Sequence, residues 1–359
     1  MDTTRYNRQI ILAEVGTIGQ QKLQQAKVLI VGMGGLGAAV LPYLAAAGIG
    51  EIGIMDHDII EVTNLQRQVI YKNTAVGKSK VVEAKAMALA LNPSIKINAI
   101  TEKLDSENAI SLFSQYDIMV DATDNLNTKY LINDACCVTN KPFVYGSVYK
   151  FQGQVSVFNY ENGPTYRCLF PEESAQVGNC NDAGVMGISV GIIGMFQANE
   201  VLKMVLETGE VMSGKLLVYN MLNNEQQKFE FSKSDAGAMD ESAFEKKYVV
   251  SENSVFEIAA VTALEQMHHP EVVFLDVRNF DEYPKITIVN SVQIPLDILE
   301  NECRLLDVNA IVFVFCQSGI RSKKAVEILR NNNFRDVKSI VGGAIALDEV
   351  LHKGMVSVL

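Results

Sequence analysis

Short apolar runs rich in β-branched residues alternate with longer stretches of helical composition through roughly the first 150 residues. Residues 27–32 (Lys-Val-Leu-Ile-Val-Gly) predict a buried parallel strand, because a strand covered on both faces shows a continuous apolar run. Residues 34–47 predict a helix that stops at Gly48, and residues 52–56 the next strand. Residues 78–91 predict a helix closed by Asn92-Pro93. Strands follow at 95–100 and 117–121, with a helix around 105–115 between them. A helix at 127–139 and a strand at 143–147 complete the series. Such alternation folds as a doubly wound, Rossmann-like parallel sheet.

The pattern then changes. Residues 152–160 and 215–231 have a more alternating, antiparallel character, which extends the sheet. Between them residues 161–184 form a loop rich in Gly, Asn, Pro and Cys, and a structureless stretch that long is usually functional or mobile. The most apolar segment, 185–196, is short, holds three glycines and is followed by Gln197 and Glu200; it predicts a buried helix, not a membrane span. Residues 232–247 are small, polar and charged, without apolar periodicity, and read as a linker centred on 236–247. A smaller α/β pattern lies beyond, with strands at 272–277, 311–315 and 337–341 and a helix at 322–331. The predicted domains are 1–235 and 248–359.

Composition narrows the function. The 359 residues are 48% hydrophobic and 20% charged, which is globular, and the net charge of −11 argues against a general nucleic-acid or anionic-membrane binder. The opening Met1-Asp2-Thr3-Thr4-Arg5-Tyr6 is polar where a secretory signal needs an apolar core, so a cytoplasmic location with reduced thiols is expected for the six cysteines.

The first candidate chemistry is the glycine loop Gly32-x-Gly34-Gly35-x-Gly37, which follows a strand and opens a helix. Such glycines bring backbone N–H groups close to phosphates at the positive end of a helix. Asp56 ends the next strand, where a carboxylate accepts bonds from ribose hydroxyls. This much also fits NAD or flavin. Asn64-Leu-Gln-Arg67-Gln, Lys80 and Asp124 shift the balance to ATP, because a triphosphate under attack carries more charge and benefits from cationic clamps and a Mg²⁺-binding carboxylate. Each charge taken alone reads better as a solvated surface residue.

Arg5-Tyr-x-Arg8-Gln, the Gly32 loop, Asp56-x-Asp58, Asn64-Leu-Gln-Arg67-Gln, Lys80 and Thr123-Asp124-Asn125 together resemble the MoeB/ThiF family, which is similar to ubiquitin-activating enzymes, over about residues 5–231. The resemblance implies adenylation, with ATP and Mg²⁺, of the C-terminal Gly-Gly carboxylate of a small ubiquitin-like sulfur carrier of the MoaD/ThiS kind. It implies that Asp56 holds the ribose, that Asn64, Arg67 and Lys80 hold the phosphates, and that Asp124 binds Mg²⁺. It also implies a homodimer in which Arg8 reaches the partner's nucleotide, and a crossover-loop cysteine, here Cys180, that captures the activated carboxyl in some members. Cys180 also reads as an ordinary loop thiol. Family members commonly hold zinc on two Cys-x-x-Cys pairs; here only Cys168 remains, with Thr165 where its pair would be, so no zinc is expected and Cys168 reads as a packing residue.

The second candidate is Cys316-Gln-Ser-Gly319-Ile-Arg321, directly after the apolar run Ile311–Phe315. A strand ending on cysteine before a tight loop and a helix points N–H dipoles at the sulfur, and these with Arg321 favour a thiolate or persulfide anion. With Asp276-Val-Arg278, Glu282-Tyr283, Ile294-Pro295-Leu296 and Gly342-Gly343, this loop resembles the rhodanese family over about residues 250–359, although the usual His-Ile-Pro-Gly-Ala segment is degraded at 288–292. The resemblance implies sulfur carried on Cys316, with a persulfide donor such as a cysteine desulfurase. Cys136, Cys137 and Cys303 read as buried or incidental. The combined expectation is a fused adenylyltransferase and sulfurtransferase serving molybdopterin, thiamine, cysteine or tRNA-thiolation chemistry. An NAD-linked oxidoreductase and a non-catalytic scaffold with a vestigial rhodanese module stand as alternatives.

Overall fold

The computed structural model describes residues 3–171, 184–234, 239–249 and 256–356. The chain divides between Val249 and Val250 into two units, each with its own sheet and core. In the first, α1 (Thr3–Ile10) and α2 (Gly16–Gln25) precede β1 (Lys27–Val31), α3 (Gly35–Ala47), β2 (Glu51–Met55), α4 (Lys80–Leu91) and β3 (Lys96–Ile100). Then come α5 (Ala109–Phe113), β4 (Ile118–Asp121), α6 (Leu126–Thr139) and β5 (Phe143–Tyr149). These five strands are parallel, in the order β3-β2-β1-β4-β5. Val28, Leu29 and Ile30 are fully buried, as strand residues covered on both faces must be.

Three antiparallel strands, β6 (Gln152–Phe158), β7 (Lys215–Asn220) and β8 (Glu225–Glu230), extend the sheet to eight. Between β6 and β7 lie α7 (Tyr166–Leu169) and the 20-residue α8 (Gly187–Leu206). α8 is long and apolar enough to cross a bilayer, but half of it is buried in protein. Its Gly194 and Val190 press on Ala39 and Gly35 of α3, so it is a core helix, as its glycines suggest.

The second unit carries β9 (Glu257–Ala259), α10 (Ala260–Glu265), β10 (Val272–Asp276), β11 (Ser291–Gln293), α11 (Leu299–Glu302), β12 (Ile311–Phe315), α12 (Ile320–Asn331), β13 (Asp336–Val341) and α13 (Gly343–Val356). Its five strands are all parallel, in the order β11-β10-β12-β13-β9. Phe274 and Phe313 meet edge to face at 5.6 Å in its core.

Two expectations from sequence need correction. The stretch predicted as a structureless loop at 161–184 is ordered in its first part: α7 is pinned by Tyr166, which donates its backbone N–H to Asn133 Oδ1 (2.8 Å) and packs among Phe158 and Phe170. The described part of the predicted linker is not coil either. α9 (Glu241–Phe244) runs into a π turn at Glu245–Val249, and Phe244 is 1% exposed. Asp240 caps α9 through the Ala243 N–H (2.7 Å). Tyr248 and Lys247 then reach buried Asp134 at 2.8 and 3.3 Å. One aromatic residue and one buried carboxylate thus fold a stretch whose composition looks like a spacer.

Candidate functional site

The strand order reverses at β1, which lies between β2 and β4, and a crevice opens beyond the carboxyl ends of these strands. It is a cleft of about 660 Å³. Gly32 has φ +95°, and a Cβ there would sit 2.7 Å from the Ala122 carbonyl oxygen. At Gly37 a Cβ would meet the Gly32 carbonyl oxygen at 2.1 Å. Only glycine permits this turn, and the turn brings the N-terminus of α3, with Gly34 and Gly35, to the cleft wall.

Asp56 is held rigidly. Its Oδ2 accepts the Met33 N–H (2.7 Å) and its Oδ1 the Asp58 N–H (2.9 Å), with lone pairs to spare for hydroxyl donors. Asn64 is buried and accepts the Glu61 N–H through Oδ1 (3.1 Å). Arg67 spends one donor on the Thr63 carbonyl (3.1 Å). Lys80 is 5% exposed, with Nζ 2.7 Å from Asp58 and 4.0 Å from Asp56, so an incoming anion shares a charge already partly paired. Asp124 is exposed on the turn after β4 and lines the same cleft. The fold therefore gathers Gly32, Gly34, Gly35, Asp56, Asn64, Arg67, Lys80 and Asp124 into one place. Arg8, exposed on α1, does not line the cleft of its own chain.

Gln68 closes the Asn64-Leu-Gln-Arg67-Gln motif without a role of its own assigned from sequence, and Lys129 is not singled out there at all. Gln68 is 3% exposed in the cleft wall, and its Oε1 has no hydrogen-bond partner among the described residues. Lys129 lies on α6 like any helical lysine, yet it is 5% exposed and paired with Asp121 at 2.9 Å. No local motif marks either burial.

The second unit holds the other constellation. Cys316 directly follows β12 and is 1% exposed. The Gly319 N–H reaches its Sγ at 3.2 Å, and Ser322 Oγ lies 3.7 Å away. Gly319 has φ +96° and starts α12, so the helix N-terminus faces the sulfur. A Cβ on Gly343 would sit 2.2 Å from the Cys316 carbonyl oxygen, which explains why the turn after β13 can pack directly on the loop. Arg278, 2% exposed, forks onto Asp276 and steadies Gln317 through Nη1 (3.2 Å).

Arg321 has a second carboxylate partner that its spacing from Cys316 does not show. Its Nη1 and Nη2 donate to Glu282 Oε1 and Oε2 at 2.7 and 2.5 Å. That fork holds the Glu282 carboxyl down at about 2 and raises Arg321 further. Both arms of Arg321 are on Glu282, its charge still acts on Cys316 through space, and the hydrogen-bond donor to Cys316 Sγ is the Gly319 backbone. The other thiols divide. Burial pushes Cys137 up to about 12 and raises Cys136 well above its usual value. Burial also raises Cys168, but hydrogen bonds from Thr165 and Ser234 more than offset it, so that thiol lies below its ordinary value. Cys168 is therefore not the plain packing residue its sequence context suggests. Cys180 lies outside the described residues.

A phosphate-binding turn at a switch point, joined in one chain to a cysteine cradled by a strand–loop–helix, defines a nucleotide-using activating enzyme coupled to a cysteine group-transfer domain. Residues 6–238 match the ThiF family and residues 259–346 the rhodanese-like domain, and the chain belongs to the ThiF family. Among relatives, the probable molybdopterin-synthase adenylyltransferase of Porphyra purpurea is 37% identical over 351 residues, 95% of this chain and 91% of that one. The adenylyltransferase and sulfurtransferase MOCS3 of Culex quinquefasciatus is 36% identical over 381 residues, 95% of this chain and 86% of its own. E. coli MccB, solved with AMPCPP and MccA, shares the fold at a TM-score of 0.59 and 24% identity, over 67% of this chain and 75% of that one. The oxidoreductase and vestigial-scaffold alternatives find no support in these likenesses.

Proposed function

We propose that this chain activates the C-terminal Gly-Gly carboxylate of a small ubiquitin-like sulfur-carrier protein with ATP, and then loads it with sulfur held on Cys316. The observation that carries the reading is the occurrence of both constellations in one chain: the Gly32 cleft with Asp56, Lys80 and Asp124, and the buried Cys316 under the Gly319 N–H.

The cleft fits a nucleoside triphosphate. Its volume is that of a small-molecule site, the α3 N-terminus and Arg67 and Lys80 supply positive charge, and Asp56 offers acceptors to a ribose. Asp124 is an exposed carboxylate of the kind that takes Mg²⁺ together with phosphate oxygens, and Mg²⁺ would supply neutralisation of the phosphate charge. The carrier's carboxylate is already ionised, so no general base is needed: its oxygen bonds to the α-phosphorus as the bond to the β-phosphate oxygen breaks, and pyrophosphate leaves. Asn64, Arg67 and Lys80 position and neutralise. Arg8, which does not reach its own cleft, acts in this reading on the nucleotide of a second copy in a homodimer.

Sulfur arrives from a persulfide donor such as a cysteine desulfurase. The Cys316 thiolate takes the donor's outer sulfur, and the donor leaves as a thiolate. The resulting Cys316 persulfide attacks the carrier's acyl carbon and AMP departs, leaving an acyl disulfide. A second thiolate then attacks the Cys316 sulfur. The S–S bond breaks, the thiocarboxylate is released, and a disulfide remains for cellular thiols to reduce. The names of the relatives favour a molybdopterin-synthase carrier. Zinc has no assigned part: Thr165 and Ser234 stand around Cys168 where further thiols would be needed.

The test is ATP–pyrophosphate exchange that depends on added carrier. Lys80→Ala is expected to lower it by about a hundredfold, the usual cost of one preorganised charge donor. Calorimetry that found tight NAD binding and no ATP binding would contradict the reading.

A further inference from the structure

The turn that carries Asp124 is held from beneath by a buried cation to which the reading above gives no role. Lys129 Nζ lies 2.9 Å from Asp121 Oδ2, 2.9 Å from the Thr123 carbonyl and 3.0 Å from the Gly146 carbonyl. Three acceptors match the three protons of an ammonium. The Tyr145 ring sits 5.0 Å away, a cation–π distance. Asp121 is fully buried, and its Oδ1 accepts the Thr123 N–H (3.0 Å) and hydroxyl (2.7 Å). Gln197 Nε2 donates to the Asp121 carbonyl at 2.7 Å. The turn from 121 to 124 is thus tied to β5 and α8 from the side away from the cleft, while Asp124 stays exposed in the cleft.

A fully buried carboxylate three positions before Asp124 needs a partner charge, because an unpaired one is costly in the interior. Lys129 supplies it. The same contact decides which carboxylate is left to a cation. Asp121 is already satisfied by Lys129 and Thr123, and Asp124 is the one presented to the cleft.

We propose that Lys129 is a positioning residue of the adenylation site: it fixes the Asp121–Thr123 turn and neutralises Asp121, so that Asp124 meets the nucleotide's cation in one geometry. This rests on the adenylation reading above. Groups that orient a cation's ligands typically change its affinity about 10- to 100-fold when removed.

The experiment compares the full-length wild type with Lys129→Met, Lys129→Arg and the double variant Lys129→Met/Asp121→Asn. Three readouts are taken: thermal unfolding, calorimetric binding of a non-hydrolysable ATP analogue across a Mg²⁺ titration, and carrier-dependent pyrophosphate exchange. Lys129→Met is expected to unfold at lower temperature, since it strands Asp121. The double variant removes the stranded charge but keeps the acceptor for Thr123, and is expected to recover the wild-type midpoint. It should still need about tenfold more Mg²⁺ for half-maximal analogue binding, with affinity in the absence of Mg²⁺ unchanged. Lys129→Arg, which keeps the charge, should lie closer to wild type than either. A double variant with wild-type folding and wild-type Mg²⁺ dependence overturns the proposal, leaving Lys129 a charge balance only. A double variant that does not fold also counts against it, because the neutral pair is expected to fold. A wild type that binds no analogue and exchanges no pyrophosphate would instead sink the adenylation reading itself.

Discussion

Arg321 shows how a side chain's partner, not its distance along the chain, decides its role. Its spacing from Cys316 suggests a cation for the sulfur, and its charge does act on Cys316, while both guanidinium arms hydrogen-bond to Glu282. Glu282 lies 39 positions earlier, in a segment with no periodic signal, so the pairing is invisible in sequence. The consequence is a pH dependence of known sign. The Glu282 carboxyl is depressed from its ordinary 4.5 to about 2 by Arg321, so the pair's stabilisation is complete above pH 4.5 and disappears as pH falls through about 2. Thermal unfolding of wild type and Glu282→Gln should therefore differ by a constant gap from pH 7 to pH 5, and the gap should narrow below pH 4.5. A gap that widened on acidification would contradict the assignment. Asp56 and Lys80, by contrast, were legible, because the end of a strand and the start of a helix fix where a side chain stands. Lys129 was not, since its burial comes from Asp121 and from Tyr145 and Gly146 of β5, which no helical pattern in its own segment reveals.

Elements were legible wherever their periodicity is set by burial on both faces. β1, β2 and β4 are continuous apolar runs, and each was found within a residue or so of its limits. The exception is the helical turn at 241–249. Its residues are mostly charged, and only Phe244 and Tyr248 carry the packing signal, stacked at 4.7 Å. Their anchor is Asp134, which is fully buried and forked by Arg167 at 2.7 Å. Asp134 lies below the usual carboxylate range: burial alone would raise it, and the hydrogen bonds of Arg167, Asn133 and Tyr248 more than offset that. The chain is thereby fastened to the first unit up to residue 248, within a stretch whose composition suggests a linker. Tyr248→Phe with Lys247→Ala removes two contacts to a charged acceptor while leaving Arg167 in place. Hydrogen bonds to charged groups are each worth about 1.5–3 kcal/mol, so limited proteolysis within 239–249 should speed up by roughly tenfold or more. Adenylation should be unaffected. Unchanged proteolysis would mean that Phe244 alone holds the segment.

In the proposed function the two units divide the chemistry between a cleft that spends ATP and a loop that carries sulfur, and the proposed homodimer adds a further division. Arg8 does not line its own cleft, and the proposed function gives each site one residue from the other copy. Mixing inactive Arg8→Ala with inactive Asp124→Ala should restore exchange, because a heterodimer has one site with both residues intact. Full activity in a strictly monomeric protein would exclude this. The two-unit architecture was legible because each half repeats its own strand–helix rhythm. The path of sulfur is not written in either half, because Cys180 and Cys316 stand 136 positions apart in the sequence. The central claim is that sulfur on Cys316 ends on the carrier's activated carboxylate. Mass spectrometry of the carrier, after incubation with ATP and a persulfide donor, reads it directly. Wild type should exchange one carboxylate oxygen for sulfur. Cys316→Ala should leave the carrier mass unchanged while keeping pyrophosphate exchange at the wild-type rate. An undiminished yield of thiocarboxylate from Cys316→Ala would show that the second unit does not carry the sulfur.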